Sequence, residues 1–381
     1  MTSKAATPVK WTLFILIAGL FVLPAIQKVF HPVHSRALEG YIEPNPFPEF
    51  SLNSLFEGLF LPRLTKHYNR SVGFHNELVR LHNQVDFSLF RIPNARSVVI
   101  GKEDYLFEDQ YINAFNGRDF IGVKKIEARV RQIRFAQDRL WKEKGILFLV
   151  LILPDKGTFY PEYIPQRFKL SVRENTNYKW YSRKLKEEHV NLIDYSAWFR
   201  AMKDTSGYPL FSKSGIHWSS YGSYLAMDSL VRYLEEKTGR AFSHARVTQT
   251  IISRNPMDRD DDVERALNLA WGIPSQPLAY PKVTWKKPGN QLPFSALFIG
   301  DSFYFTWAEA GYIGNVFRNR DFWYFDHDVY YGTYPTGERA VSQDLKRMLS
   351  QHDAIIFLQT SAGYGQLGYF FIDRLLAAGG L

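Results

Sequence analysis

The sequence predicts an α/β protein in three αβα layers, a mostly parallel sheet sandwiched by helices, preceded by an N-terminal membrane anchor helix. Three observations carry this reading. From about residue 96 onward, apolar runs of strand length alternate with segments of helical period, the pattern of a parallel sheet with crossover helices. One run, Gly145 to Leu153 (GILFLVLIL), is continuously apolar, as expected of a strand covered on both faces. At the other end of the chain, Lys4 and Lys10 precede an apolar run from Trp11 to Ile26.

That first run is shorter than the roughly 20 residues of a comfortable span, but no clear small-residue cleavage motif follows it. Positive charge ahead of it keeps the amino terminus in the cytoplasm and sends the remainder outward. Residues 1–30 are therefore expected to be an uncleaved signal anchor in the inner membrane, with the rest of the chain periplasmic. Residues 31–95 read as a tether, marked by Pro32, Pro44, Pro46 and Pro48, and then a helical lead-in with Leu78, Leu81 and Val85 near helical spacing.

The α/β domain is expected over residues 96–381. It opens with a strand-turn unit from Ser97 to Phe107. A helical stripe of Val123, Ile126, Val130, Ile133 and Leu140 follows, then the strand ending at Leu153. A polar helix over 172–188 leads to a short strand from Val190 to Ile193. The next helix runs from Ser219 to Lys237, with Ser219 or Ser220 as its N-cap. Ser295 to Ile299 is a strand, 303–315 a helix, Phe322 to Phe325 a strand and 337–350 a helix. Ala354 to Leu358 is the last buried strand and 366–378 the last helix. Residues 240–292 read as an irregular insertion carrying a solvated acidic cluster of Asp258, Asp260, Asp261 and Asp262.

Composition narrows the functional classes. With 381 residues, 45% apolar and 22% charged, the chain can bury the core of one large domain plus an appendage. Its 47 basic and 38 acidic side chains give a net charge of +9, which favours anionic partners. No basic run with interleaved aromatics is present, so nucleic acid is disfavoured. The absence of cysteine excludes disulfides, thiolate metal sites and a cysteine nucleophile. Aromatics reach 16%; most belong in the core. Phe325, Tyr330, Tyr331 and Tyr334 fall near a strand end, where they either line a sugar groove or pack internally. Asp326-His327-Asp328 lacks a second ligand set and reads as a loop, not a metal site.

Three segments bear residues able to do chemistry. Gly300-Asp301-Ser302-Phe303 joins a strand to a helix, at the end of a parallel sheet where ligands bind. Ser302 there is either a nucleophile or a helix cap. A serine nucleophile needs a base, and Gly215-Ile216-His217-Trp218-Ser219 presents a histidine in a loop ahead of a long helix. Leu153-Pro154-Asp155-Lys156 places Asp155 at the end of the most buried strand, beside Tyr160-Pro161-Glu162-Tyr163-Ile164-Pro165.

Taken together, these segments resemble the alginate O-acetyltransferase family of periplasmic SGNH-hydrolase-like proteins. The resemblance runs through the anchor, Phe47-Pro48, Ile100-Gly101-Lys102-Glu103-Asp104-Tyr105-Leu106-Phe107, Pro154-Asp155-Lys156, His217-Trp218-Ser219 with Tyr221-Gly222, and Gly300-Asp301-Ser302-Phe303. It implies an SGNH-like fold and O-acetyl transfer to an exported polysaccharide, with Ser302 as nucleophile, His217 as general base and no cofactor. It also implies a polytopic membrane-bound O-acyltransferase as acetyl donor. Trp218, Tyr330, Tyr331 and Tyr334 are the expected sugar-contacting residues.

One departure from the family pattern matters. The family carries Asp two residues before the histidine, where this chain has Gly215. A different carboxylate therefore serves, a Ser–His dyad suffices, or the site is degenerate. Asp155 is the expected substitute, ahead of Asp301. Gln359, Thr360 and Gly363 are candidate oxyanion donors. The competing functions are an esterase with the same apparatus, and an inactive subunit that binds polysaccharide or scaffolds an export complex.

Overall fold

A computed structural model describes residues 6–40, 43–169, 173–289 and 292–378. Lys4 of the anchor's expected cationic flank and Val172, near the start expected for the polar helix, lie outside the described residues. The chain divides into two compact units: one runs up to Arg96 and includes Glu264–Gly272, and the other comprises Ser97–Val263 and Ile273–Leu381.

The first unit is helical. Its leading helix, Ala6–Phe30, runs beyond the apolar stretch at both ends, and Pro8–Phe30 is long and apolar enough to cross a membrane. At 1.5 Å per residue its 23 residues span about 34 Å, enough for a hydrocarbon core. The lead-in forms two helices, Phe60–Ser71 and His75–Val85. The returning segment is held by polar contacts: Asn83 donates to the Leu267 carbonyl at 2.8 Å, and Asn268 exchanges hydrogen bonds with the Glu39 backbone.

Among the described residues the second unit holds eleven strands: β1 Val98–Ile100, β2 Leu106–Glu108, β3 Leu147–Ile152, β4 Leu192–Asp194, β5 His244–Ser253, β6 Leu278–Lys286, β7 Ala296–Gly300, β8 Asp321–Tyr324, β9 Asp328–Tyr331, β10 Tyr334–Arg339 and β11 Ala354–Gln359. Seven of them form the central sheet in the order β10-β9-β8-β7-β11-β3-β4. The five from β8 to β4 are parallel, and β9 and β10 extend the β8 edge as an antiparallel meander.

Both faces of this sheet are buried, for the reason legible in the GILFLVLIL run. Leu147, Leu149 and Leu151 of β3 point into one core with Phe298 and Ile356, while Phe148, Val150 and Ile152 point into the other with Ile299 and Phe357. Helices Tyr195–Met202, Ser220–Thr238 and Phe303–Glu309 cover the first face. Helices Val123–Lys144, Asn177–Glu187 and Phe371–Ala377 cover the second. The result is the three-layer αβα domain expected from the alternation of elements.

The chain order places a crevice. From β3 the chain moves outward to β4, and from β7 it moves the opposite way to β8, with β11 between β3 and β7. The carboxyl ends of β7, β11 and β3 therefore surround the switch point where open α/β sheets bind ligands.

Several expectations need correction. The region expected to be irregular over 240–292 contains a long antiparallel ribbon, in which β5 and β6 pair from His244↔Lys286 to Ser253↔Leu278. The helix expected over 337–350 is confined to Leu345–Ser350, and β10 takes Tyr334–Arg339; Pro335 and Gly337 both oppose helix there. The helix expected over 303–315 breaks at Gly311, whose φ of +76° admits the turn into Tyr312–Val316.

Candidate active site

Ser302 follows β7 directly. Gly300 at the strand's end can have no side chain, because a Cβ would lie 2.1 Å from the Leu358 carbonyl oxygen on neighbouring β11. Close approach of the adjacent strand, rather than a special turn, is what requires glycine here. Asp301 then bolts the two strand ends together: its Oδ2 accepts from the Thr360 N–H at 2.8 Å and its Oδ1 from the Phe303 N–H at 3.2 Å. Ser302 sits at the N-cap of helix Phe303–Glu309 but its side chain makes no capping hydrogen bond. The hydroxyl instead lies 2.8 Å from Nε2 of His217.

His217 comes from a loop fixed on every side. Trp218 donates from Nε1 to Thr306 Oγ1 at 2.7 Å, linking the loop to the helix that follows Ser302. Ser219 caps helix Ser220–Thr238 and donates to the Pro209 carbonyl. Lys156 is fully buried, and its ammonium donates to the carbonyls of Lys213 at 2.6 Å and Gly215 at 2.8 Å. Burial pulls that ammonium down to about 7, against the opposing pull of the Asp262 and Asp260 carboxylates.

The acid at the far nitrogen of His217 is Asp262. Its Oδ2 lies 2.5 Å from Nδ1, and its Oδ1 accepts from the Ile216 N–H at 2.9 Å. The Asp262 side chain is 16% exposed and that of His217 5%, so the contact is shielded from water. Burial alone would raise the Asp262 carboxyl; the charge of His217 and the hydrogen bonds from its ring and from Ile216 win, and hold it below the ordinary range. The acidic cluster read as a solvated loop is thus, at Asp262, a buried partner of the imidazole.

Asp155 is not that partner. It caps the short helix Lys156–Phe159, accepting from the Thr158 N–H at 2.8 Å. Its carboxyl is fully buried and raised mainly by that burial, against the hydrogen bond from Thr158. Gly215, at the family's aspartate position, leaves no room for any side chain: a Cβ would lie 2.8 Å from the carbonyl oxygens of Arg259 and Asp260 and from Ser212 Oγ. The loop that delivers Asp262 fills the space a residue-215 carboxylate would need.

The expected oxyanion donors are otherwise engaged. The Thr360 N–H is taken by Asp301, the Gly363 N–H by the Thr360 carbonyl, and the Gln359 amide by the Gly363 carbonyl at 2.6 Å. Trp218 is a buried core residue, 1% exposed, rather than an open platform. Tyr330, Tyr331 and Tyr334 are set back from Ser302. The strand register pairs Gly300 with Tyr324, but Tyr331 with Asp321 and Tyr334 with Tyr331, which puts Tyr331 about 10 Å down the strand from the serine end. Tyr330 packs on Phe305 and Phe322. The half-exposed ring at the serine end is Phe325, whose N–H donates to the Gly300 carbonyl. In the loop after β8, Asp326 is ion-paired with Arg374 and Asp328 with Arg339.

Glu108 lies at the end of β2. Its carboxyl is raised by burial, against a 2.5 Å hydrogen bond from Gln110 and the charge of His217.

The geometry is that of a serine hydroxyl, an imidazole and an oriented carboxylate in series, a constellation able to activate the hydroxyl for acyl transfer. Comparison with known proteins agrees in kind. The profile of the SGNH hydrolase-like domain of the acetyltransferase AlgX matches residues 98–301, a stretch that includes His217 and Asp262 and ends next to Ser302. A Pseudomonas fluorescens protein described as a probable alginate O-acetylase, AlgJ, is 22% identical over 192 residues, 50% of this chain and 47% of that protein; the match spans about half the length of each. Two solved structures are also similar. The O-acetyltransferase domain of Pseudomonas putida AlgJ has 15% identity and a TM-score of 0.47, covering 74% of this chain and 99% of that one. Pseudomonas aeruginosa AlgX has 13% identity and a TM-score of 0.44, covering 73% and 67%. With more than half of its length matched by the profile, the chain belongs to the AlgX family of SGNH hydrolase-like acetyltransferase domains.

Proposed function

We propose that this protein is an O-acetyltransferase that acetylates hydroxyls of an exported polysaccharide, using Ser302 as nucleophile, His217 as general base and Asp262 as the acid that orients it. The observation that carries the reading is the continuous chain of contacts from Ser302 Oγ through both ring nitrogens of His217 to Asp262.

In the first half-reaction Ser302 Oγ attacks the acetyl carbonyl of the donor while Nε2 of His217 takes the hydroxyl proton. Asp262 then faces an imidazolium, and its ionised state stabilises that cation across Nδ1. Collapse of the tetrahedral species passes the proton to the leaving group and leaves acetyl on Ser302. In the second half-reaction a sugar hydroxyl gives its proton to Nε2 and attacks the ester; the acetyl group leaves on the sugar, and the Ser302 oxygen recovers the proton. The donor in this reading is a membrane-bound O-acyltransferase, and the helix Pro8–Phe30 holds the enzyme at the same inner membrane with its α/β domain in the periplasm.

An esterase would use the same residues with water as acceptor. The inactive-scaffold reading rested on Gly215, and Asp262 supplies the carboxylate whose absence motivated it. The test is acetyl release from a chromogenic acetate ester by the full chain in detergent, and acetyl transfer to oligosaccharides followed by mass. Ser302→Ala should abolish both with an unchanged melting temperature. Release without transfer to any sugar would favour the esterase, and activity that survives Ser302→Ala would overturn the site.

A further inference from the structure

The apolar helix Pro8–Phe30 carries one charged residue beyond Lys10, which is Lys28. A lysine so placed extends its ammonium to the headgroups, which sets the outer edge of the hydrocarbon near the last turn of the helix. Pro24 lies four residues before Lys28, about 6 Å deeper at 1.5 Å per residue. At that depth another part of the chain meets the helix. Gly73 sits in the corner between helices Phe60–Ser71 and His75–Val85. It packs so closely that a Cβ on it would lie 2.0 Å from the Pro24 carbonyl oxygen and 2.9 Å from Gln27 Cβ. Corner and helix belong to one compact unit, so the depth of the helix is also the depth of the corner.

Gln27 is an independent sign of the same environment. It is buried, its Nε2 donates to the Val33 carbonyl at 2.7 Å, and its Oε1 accepts from the Val33 N–H at 3.1 Å. Both ends of the amide are thus satisfied by the chain itself, as the edge of a water-free layer demands. The outward surface at this level is apolar: Val29, Phe30 and Val33 beside the helix end, and Tyr68 and Val72 beside the corner, are all exposed. Helix Phe60–Ser71 is amphipathic across its free surface. Phe60, Leu64 and His67 form its half-buried side. Leu61 and Tyr68, seven residues apart, share an exposed side, and Arg63, Lys66 and Arg70 lie opposite them. Glu43 pairs with Lys66 and Arg70, which leaves that opposite side net basic. An apolar side backed by a basic one is the pattern of a helix lying in a membrane interface, sunk about 5–10 Å, the depth at which Gly73 meets Pro24.

We propose that the corner Ser71–Phe74 and the Leu61–Tyr68 side of the helix before it are seated in the outer leaflet of the bilayer, as a second membrane contact beside the anchor. The partner is phospholipid: Val72 enters the upper part of the chains, Tyr68 sits at headgroup level where tyrosine is favoured, and Arg63, Lys66 and Arg70 face the aqueous side. The inference rests on the reading of Pro8–Phe30 as a transmembrane anchor. It adds a mechanical consequence. A single helix leaves the emerging chain free to rotate about the helix axis, whereas a lipid contact to one side of that axis fixes the rotation of the lead-in at the membrane surface.

The chain contains no cysteine, so a single introduced thiol carries a fluorophore at one chosen position. Leu20→Cys, Arg63→Cys, Tyr68→Cys and Val72→Cys all replace exposed residues. Each full-length variant is reconstituted in nanodiscs of phosphatidylethanolamine and phosphatidylglycerol, with no other protein, and quenched either by brominated acyl chains or by aqueous iodide. Leu20, about 15 Å inside the end of the helix at Phe30, reports on the anchor alone; its label should be quenched by chains brominated near their methyl ends. Labels at Tyr68 and Val72 should lose fluorescence to chains brominated near the glycerol, and iodide should quench them several-fold less than the label at Arg63. Deep quenching at Leu20, with Tyr68 or Val72 as open to iodide as Arg63, would overturn the proposal and leave the anchor standing; a surface made for a protein partner would give this result. Absence of lipid quenching at Leu20 would overturn the anchor and the proposal together.

Discussion

Replacing Asp262 with Asn tests the acid directly, and the structure fixes what should happen. Asn keeps an oxygen where Asp262 Oδ1 accepts from Ile216, so the loop should hold its position. Its amide nitrogen then faces His217 Nδ1 in place of Oδ2. A donor there forces Nδ1 to be the acceptor and puts the ring proton on Nε2, the atom that must take the proton from Ser302. The variant also loses the charge that stabilises the imidazolium. At a charge separation of about 4 Å and an effective dielectric of about 20, that attraction is about 4 kcal/mol, or about 10³-fold in rate. Tautomer and charge together place the expected loss of kcat at about 10³–10⁴-fold. Turnover of a chromogenic acetate ester is the assay, with Asp155→Asn measured alongside. Near-wild-type turnover in Asp262→Asn, or a comparable collapse only in Asp155→Asn, would refute the assignment. Stability supplies a second check. The Asp262 carboxyl is depressed in the fold, so its contribution is present above about pH 4, its ordinary range, and is lost as pH falls through the depressed value. The melting-temperature deficit of Asp262→Asn should accordingly shrink on acidification.

Other consequences follow from the same contacts. Gly215→Asp, which restores the family's residue, should lower activity, because its Cβ meets two backbone carbonyls at 2.8 Å; overpacking of about 1–3 kcal/mol should appear in thermal unfolding as a drop of several degrees. Lys156→Met removes both donors that hold the His217 loop and should slow ester turnover at least about ten-fold. Its stability effect has a definite sign. The wild-type ammonium titrates near 7 in the fold and near 10.4 unfolded, so its burial penalty is full below pH 7 and is relieved as pH rises between those values. The melting temperature of Lys156→Met relative to wild type should thus be more favourable at pH 6 than at pH 9. Trp218→Phe loses the bond to Thr306 and should cost about 1 kcal/mol by chemical denaturation, with a smaller loss of turnover than Asp262→Asn.

What the sequence disclosed follows from the range of the interactions involved. The buried parallel strands were legible because covering both faces makes a run such as GILFLVLIL uniformly apolar, and the ends of those strands mark the crevice. Ser302 and His217 were legible because each lies at a strand-to-helix or loop-to-helix junction with a recognisable local pattern. The β5–β6 ribbon was not: its long pairing leaves β5 mostly half-exposed or exposed, so no apolar run announces that strand, and the alternation in β6 is confined to the few residues before Lys286. The meander of β9 and β10 was hidden for the same reason, with every residue of β10 exposed. Asp262 was the hardest residue to find. It lies 45 residues from His217 along the chain, within a cluster of aspartates whose composition alone suggests a solvated loop.

The same cluster shows why a missing motif residue is weak evidence for a degenerate site. Orienting an imidazole requires one carboxylate oxygen at Nδ1 and something to stop that carboxylate from moving; neither condition specifies where in the chain it originates. Here the second condition is met by the Ile216 N–H, a neighbour of His217 itself, so base and acid are referenced to the same short piece of backbone. Glycine at 215 is a steric requirement of this arrangement, because the carbonyls of Arg259 and Asp260 occupy the volume its side chain would take. An aspartate at 215 and the delivery loop compete for one space. In this chain the loop takes that space, and it is the absence of a side chain at 215 that leaves room for the segment carrying Asp262.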